Sequence, residues 1–348
     1  MKDISVESNI TIRQAMKALD KTAEKCLLVV DENKKLLGTL TDGDLRRSIL
    51  SGAKFSEDIS NSYNTKPTIL IQDKYSHEEA KQIMQDLKLD LIPVIDENHL
   101  VVDFFTWSGL SGESQPKKSL GDVPVVIMAG GRGTRLEPFT KILPKPLVPV
   151  REKPIIEHII ERFTDIGCTN FYMTVNYKSK ILKAYFEELQ PDYQAHFVEE
   201  KEPRGTAGSL HFLDGKFNQS FFVTNCDIII KTDYTSLYEF HQKGGYDITL
   251  VASAKEYAIP YGTCELNGKG HLSHINEKPI YDFLINTGLY VMSPEVLKLI
   301  PENKFYHITH LIEDAKNKGK NVGVFPIDDD AWIDVGEWTE YRQALDLL

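Results

Sequence analysis

No run of apolar residues in this chain approaches the length of a membrane span, and the opening segment MKDISVESN carries no apolar stretch behind a basic start. These absences predict a soluble protein of the cytoplasm with no membrane partner. Cysteine is also scarce: Cys26, Cys168, Cys226 and Cys264 are far apart and form no CxxC pair. That spacing predicts buried thiols in a reducing cytoplasm. Basic residues are outnumbered, 40 Lys and Arg against 51 Asp and Glu, for a formal net charge of -11. Such a balance argues against a broad nucleic-acid surface but leaves room for a local basic pocket around a nucleotide.

What the chain does have is concentrated in residues 129–146, AGGRGTRLEPFTKILPKP. The apolar run VPVVIM before it reads as a strand covered on both faces. Gly130, Gly131 and Gly133 allow a sharp turn and a close approach of backbone N–H groups to an anion. Thr134 adds a hydroxyl, Arg135 a planar fork of donors, and Lys145, between Pro144 and Pro146, a point charge. The loop lacks the GK[ST] ending of a Walker A motif and the GxGxxG spacing of a dinucleotide fingerprint, which weighs against a nicotinamide-dependent oxidoreductase. Phosphate chemistry of another kind is predicted.

At 348 residues the chain is long enough for two or three domains. The polar, glycine-bearing stretch around residues 111–122 predicts a linker between an N-terminal part, 1–110, and a C-terminal part, 123–348. The N-terminal part repeats itself: a shift of 65 positions carries Asp31-Glu32-Asn33 onto Asp96-Glu97-Asn98 and Cys26–Val30 onto Leu91–Ile95. Each copy predicts an amphipathic helix, an apolar strand, an acidic turn and a second strand. The segment Gly38-Thr39-Leu40-Thr41-Asp42-Gly43-Asp44 resembles the strand-to-helix turn of a CBS module, and the repeat resembles a tandem CBS pair. That resemblance implies an adenine or guanine nucleotide with its phosphate at Thr41 and its ribose at Asp44. The plainer role of Thr41 is to cap the helix that begins at Asp42, since caps recur wherever helices begin. The same shift places Asp103 at Gly38, Thr106 at Thr41, Trp107 at Asp42 and Gly109 at Asp44, so the second copy lacks the carboxylate.

The C-terminal part alternates. Residues 153–163 and 179–189 read as helices, and 168–176 and 196–199 as strands, which implies a sheet with helices on both faces. Glu200 and the small-residue run Gly205-Thr206-Ala207-Gly208-Ser209-Leu210 suit a base or sugar pocket, or the tight start of a helix. The strand FFVTN leads into Cys226-Asp227, placing a carboxylate at a sheet edge where open α/β folds bind ligands. Asp334 stands in a similar setting, and the two are 107 positions apart, so only the fold can unite them as oxygen ligands for Mg²⁺. Glu277 and Lys278 can meet sugar hydroxyls and a sugar phosphate, with Asn286 and Thr287 adding hydrogen bonds. Asp328, Asp329 and Asp330 read as a solvated turn, His158, His307 and His310 as structural or surface residues, and Tyr261-Gly262-Thr263 as part of a hairpin.

Taken in order, AGGRGTRLEPFTKILPKP, Glu200 with GTAGSL, NCD, YGT, EKP, NTG and IDVG make residues 121–348 resemble the nucleoside-triphosphate:sugar-1-phosphate nucleotidyltransferases. Within that family the nearest resemblance is to bacterial guanylyltransferases with an N-terminal CBS pair, those of legionaminic acid synthesis among them. The resemblance implies a Rossmann-like α/β fold with a mixed central sheet, and transfer of GMP from GTP to a hexosamine 1-phosphate, foremost glucosamine 1-phosphate. Mannose 1-phosphate is the alternative acceptor. It further implies that Gly130, Gly131, Gly133, Thr134 and Arg135 hold the nucleotide, and that Lys145 lies beside the reacting phosphates. Glu200 and Gly205 would line the base and sugar pocket, Asp227 and Asp334 would hold Mg²⁺, and Glu277, Lys278, Asn286 and Thr287 would hold the sugar phosphate. A homodimer is expected from the association habit of CBS pairs.

Overall fold

The 65-residue repeat is visible in the element bounds. In the computed structural model, which describes residues 4–22, 24–106 and 119–347, Ser5–Glu7, Ile12–Thr22, Cys26–Val30 and Leu36–Thr41 recur as Leu70–Ile71, His77–Leu87, Leu91–Ile95 and Val101–Thr106. Each copy forms a three-stranded sheet whose central strand pairs parallel on one side and antiparallel on the other. Both central strands are buried along their whole length. The helix Ile12–Thr22 buries Ile12, Ala15, Met16 and Leu19, the i, i+3, i+4, i+7 stripe that the sequence pattern requires. Hydrogen bonds from Leu36 N–H to the His99 carbonyl and from Val101 N–H to the Lys34 carbonyl tie the copies together. Val29 is opposite Gly38 in the first copy and Val94 is opposite Asp103 in the second, so the register places Asp103 at the Gly38 position, where in the first copy an added Cβ would lie 2.2 Å from the Asn64 carbonyl oxygen. Trp107, Gly109 and most of the expected linker lie outside the described residues.

The chain divides into two units, 1–117 with 254–283, and 118–253 with 284–348. The first unit therefore contains a segment distant in sequence, including the hairpin Thr263–Leu266 with Leu272–Asn276. Ala254 at its start is fully buried in the same apolar cluster as Ile12, Leu27 and Leu45.

In the second unit the strand order is Gln194–Glu199, Asn170–Val175, Val125–Met128, Phe221–Asn225, Ile280–Met292, Ile248–Ala258, Val322–Asp328. The first four are parallel and the pairing of Phe221–Asn225 with Ile280–Met292 is antiparallel, so the central sheet is mixed as expected. Val125 and Ile127 belong to one apolar cluster and Val126 and Met128 to another, which shows both faces of the strand covered. The helix expected over 153–163 is Ile155–Thr164, because Lys153–Pro154 pairs with Pro149–Val150 as a short strand. His158 binds the Val150 carbonyl at 3.0 Å, a structural role. Two expectations need correction. Cys264 is exposed, because it lies on the hairpin, whereas the other three thiols are buried and raised by burial to about 12. Asp328 is buried, because it caps the turn Asp329–Ala331 by accepting from Asp330 N–H.

His241 is fully buried between the hydroxyls of Thr249 and Ser220, at 2.9 and 3.1 Å. Burial lowers its pKa from 6.5 to about 4. The unfolded chain therefore binds a proton between these values that the folded chain refuses, and stability falls as pH drops from 6.5 towards 4, by about 3 kcal/mol. Urea denaturation at pH 7.5 and 4.5 reads this loss, and His241→Gln flattens the slope.

Candidate active site

Val125–Met128 lies between Asn170–Val175 and Phe221–Asn225, parallel to both, so its carboxyl edge opens onto the loop 129–146 and onto the Asn225-Cys226-Asp227 turn. The loop is shaped by close packing. Gly133 has φ +66, and a Cβ there would lie 2.9 Å from Thr140 Cγ2 and 3.0 Å from Lys145 Cβ, so only glycine fits beneath the lysine stem. Leu136 anchors the middle of the loop in the core, and Thr140 Oγ1 donates to the Gly133 carbonyl at 2.9 Å. Trp338 Nε1 donates to the Glu137 carbonyl at 2.8 Å, and its ring rests on Phe139. The start of the last helix thereby braces the loop.

The two aspartates separated by 107 positions meet through a short antiparallel pairing of Ile228–Ile230 with Trp332–Asp334, in which Ile228 is opposite Asp334. Val335 N–H donates to the Asp227 carbonyl at 2.8 Å and closes the register. Lys145 Nζ forms an ion pair with Asp227 Oδ2. Gly336 marks the point where all three side chains converge: a Cβ there would be 2.8 Å from Asp227 Oδ2, 2.9 Å from Asp334 Oδ1 and 3.4 Å from Lys145 Nζ. Burial works against the Lys145 charge, but Asp227 and Asp334 outweigh it and hold its pKa above the ordinary lysine value. Burial and the neighbouring charge of Asp227 push the Asp334 carboxyl up, against the pull of the Gly336 N–H at 2.7 Å. Lys145 leaves this anionic pair incompletely neutralised. Two carboxylates with room for phosphate oxygens suit Mg²⁺, which takes few protein ligands and shares its shell with substrate. Among the described residues no group of three or more His, Cys, Asp and Glu that could hold a metal ion occurs.

Arg135 is exposed and paired with Glu337, a partner that the sequence pattern does not announce. Gly131 and Thr134 are exposed on the same loop, and a Cβ at Gly131 would meet nothing within 4 Å. Glu200 is buried directly beneath Gly130, whose added Cβ would lie 2.8 Å from Glu200 Oε1. Burial raises the Glu200 carboxyl, against the Arg204 N–H that donates to it at 3.1 Å. Gly205, at φ +78, sits against the Tyr306 carbonyl, which also accepts the N–H groups of Ala207 and Gly208. Those amides are thus engaged within the fold. Asn286 is exposed, and its amide donates to Tyr290 Oη at 2.9 Å. Thr287 is 2% exposed, and its hydroxyl donates to the Val251 carbonyl at 2.9 Å.

Glu277 and Lys278 are exposed and belong to the first unit, at the end of the hairpin, where Glu277 Oε2 lies 2.9 Å from the Cβ position of Gly262. In the same unit Thr41 caps the helix Asp42–Leu50 through a capping box, its backbone N–H donating to Asp44 at 2.8 Å while Asp44 N–H donates back at 3.2 Å. Asp44 is also paired with Arg47. Both residues line an open cavity of about 730 Å³ that Lys88 to Leu91 of the second copy complete.

Residues 124–348 match the nucleotidyl transferase family, and residues 1–51 match the CBS domain. The chain belongs to the nucleotidyl transferase family. This nucleotidyl transferase thus has one N-terminal CBS domain ahead of its α/β domain. It is 38% identical over 186 residues to mannose-1-phosphate guanyltransferase of Aspergillus fumigatus, covering 50% of each chain. It is 33% identical over 235 residues to the enzyme of the same name from Pichia angusta, covering 63% of this chain and 62% of that one. The nucleotidyl transferase therefore spans between half and two thirds of the length of these curated relatives. The solved structure of HddC from Yersinia pseudotuberculosis complexed with GMP-PN shares its fold, at 24% identity and a TM-score of 0.50, over 64% of this chain and 98% of that one. Among the described residues no helix is long and apolar enough to cross a membrane.

Proposed function

We propose that this nucleotidyl transferase moves a nucleoside monophosphate from a nucleoside triphosphate, with GTP preferred, to a sugar 1-phosphate, releasing pyrophosphate. The observation that carries the reading is the convergence of Asp227, Asp334 and Lys145 on Gly336 at the sheet edge beside the glycine loop. The names of the relatives support GTP as donor and favour mannose 1-phosphate as acceptor over the glucosamine 1-phosphate of legionaminic acid synthesis. The ordered motifs keep glucosamine 1-phosphate as the second acceptor to test.

A phosphate monoester is already anionic near neutrality, so it needs no general base. One of its oxygens attacks the nucleotide α-phosphorus in line, forming a new P–O bond as the bond to the bridging oxygen of pyrophosphate breaks and the electron pair leaves with pyrophosphate. The difficulty is bringing two anions together. Lys145 supplies fixed positive charge at the reacting phosphates. Arg135 exchanges Glu337 for phosphate oxygens, an exchange made easy because an exposed ion pair contributes little. Gly130, Gly131, Gly133 and Thr134 present backbone and hydroxyl donors to the triphosphate, with Glu200, Gly205 and Asn286 around base and sugar. Lys278 meets the sugar phosphate and Glu277 the sugar hydroxyls. Asp227 and Asp334 are the residues that would hold Mg²⁺, which when bound neutralises phosphate charge. In the N-terminal unit, the second copy completes a CBS pair around the cavity at Thr41 and Asp44, where a nucleotide phosphate and ribose would replace the internal capping contacts. A homodimer through this pair belongs to the same reading.

A matrix of four nucleoside triphosphates against mannose, glucosamine and glucose 1-phosphates, read by pyrophosphate release, tests the proposal. The expected maximum is GTP with mannose 1-phosphate. Failure of GTP with every acceptor overturns the donor, and absence of pyrophosphate in all combinations overturns the activity.

A further inference from the structure

The packing of a free-standing repeat does not explain the contacts of Arg13 on the first helix. It occupies the second position of Ile12–Thr22, next to Ile12 in the core stripe, and its guanidinium reaches residues 241 and 269 positions further along the chain. Its Nε is 3.0 Å from Glu256 Oε2, its Nη2 donates to Asp282 Oδ1 at 2.8 Å, and its Nη1 donates to the Ala254 carbonyl at 3.1 Å. The Phe55 ring lies 5.3 Å from Cζ and limits the access of water, leaving the Arg13 side chain 16% exposed. Three directions of the planar fork are thus used at once, a geometry that lysine cannot reproduce.

The three acceptors have one thing in common. Ala254 and Glu256 lie in Ile248–Ala258, and Asp282 lies in Ile280–Met292. Between these two points the chain forms the hairpin and then Glu277-Lys278-Pro279, before Ile259 N–H closes the base by donating to the Pro279 carbonyl at 3.0 Å. Arg13 therefore grips both strands at the root of the arm that carries Glu277 and Lys278. Ala254, buried in the same cluster as Ile12 and Leu45, adds an apolar footing beside the polar one. Without the cation, Glu256 and Asp282 would be two like charges on adjacent strands, and the root would splay.

We propose that Arg13 is a positioning residue through which the CBS domain sets the arm bearing Glu277 and Lys278, and so sets affinity for the sugar 1-phosphate. The functional half of this inference rests on the assignment of Lys278 to the sugar phosphate. The helix that carries Arg13 shares its core with Leu45 and Ile49 of Asp42–Leu50, the helix whose capped start lines the 730 Å³ cavity. A displacement of that helix thus has a direct packed route to the arm.

The test uses the full chain with Arg13→Gln, Arg13→Lys, Asp282→Asn, the double variant Arg13→Gln/Asp282→Asn, and Lys278→Ala. Hydrogen exchange of the amides of residues 276–283 is followed without substrate, and steady-state kinetics are measured with the preferred substrate pair. Arg13→Gln is expected to speed exchange in 276–283 and to raise KM for the sugar 1-phosphate roughly 5-fold or more. It should leave kcat and KM for the nucleotide within about 2-fold, because the arm carries no nucleotide contact. Arg13→Lys should recover only part of the loss, and the double variant should add little to the worse single one. Unchanged protection of 276–283 in both Arg13 variants overturns the proposal whatever the kinetics do. An equal rise in KM for both substrates overturns it too. If Lys278→Ala leaves KM for the sugar phosphate unchanged, the assignment of Lys278 is what fails, while the exchange data still decide whether Arg13 holds the arm.

Discussion

Replacing Asp227 by asparagine is expected to lower kcat on the order of 10³-fold, about 4 kcal/mol of barrier, with little change in thermal stability. The substitution keeps the volume and both polar atoms at the end of Phe221–Asn225, and the Asp227 carbonyl still accepts from Val335 N–H. What it removes is one of the two negative oxygens that face each other across Gly336. Lys145 loses its ion-pair partner, and the metal-ion requirement shifts to much higher Mg²⁺ concentration. Titrating Mg²⁺ in the pyrophosphate assay checks this. A variant with the wild-type rate and the wild-type Mg²⁺ dependence rules out Asp227 as a metal ligand.

Lys145→Met is expected to act on both activity and folding. Turnover should drop about 10²- to 10³-fold as a preorganised cation leaves the reacting phosphates. Methionine keeps most of the length of the lysine stem that packs beside Gly133, so the loss is of charge more than of shape. The two carboxylates then face one another with no cation, and breaking such a partly buried pair costs about 3 kcal/mol. The sign of the pH effect follows from Asp334, whose carboxyl is already held above its ordinary value by burial and by Asp227. A raised carboxyl contributes stability at low pH that is lost as pH rises through its folded pKa. The variant should therefore lose more stability than the wild type between pH 4 and pH 7, and Mg²⁺ should restore part of it. Denaturant melts across that range, with and without Mg²⁺, measure both effects.

Much of the architecture is legible in the sequence because it is written in short-range periodicities. VPVVIM, CTNFYMTVN and FFVTN announce buried strands, and the observed Val125–Met128, Asn170–Val175 and Phe221–Asn225 fall inside them. The 65-residue repeat is legible for the same reason, since each copy must independently bury one helix stripe and one strand. Thr41 illustrates a local signal, as its capping box with Asp44 needs only three residues of chain. Thr287 shows what local chemistry leaves open. A threonine in NTG offers a hydroxyl, but the alternation of Ile280–Met292 turns that hydroxyl inward, onto the Val251 carbonyl.

The sequence by itself determined the class of chemistry, through the glycine-rich loop with Arg135 and Lys145, and the alternating elements that make a doubly covered sheet. Only the tertiary structure decided that Asp227 and Asp334 face one another across Gly336, that Glu337 holds Arg135, and that residues 254–283 belong with the N-terminal unit, where Arg13 grips them. The reason is physical. A strand or a cap is fixed by interactions over a few residues, whereas these contacts depend on the register between segments that lie 107, 202 and 269 positions apart, which no local period encodes.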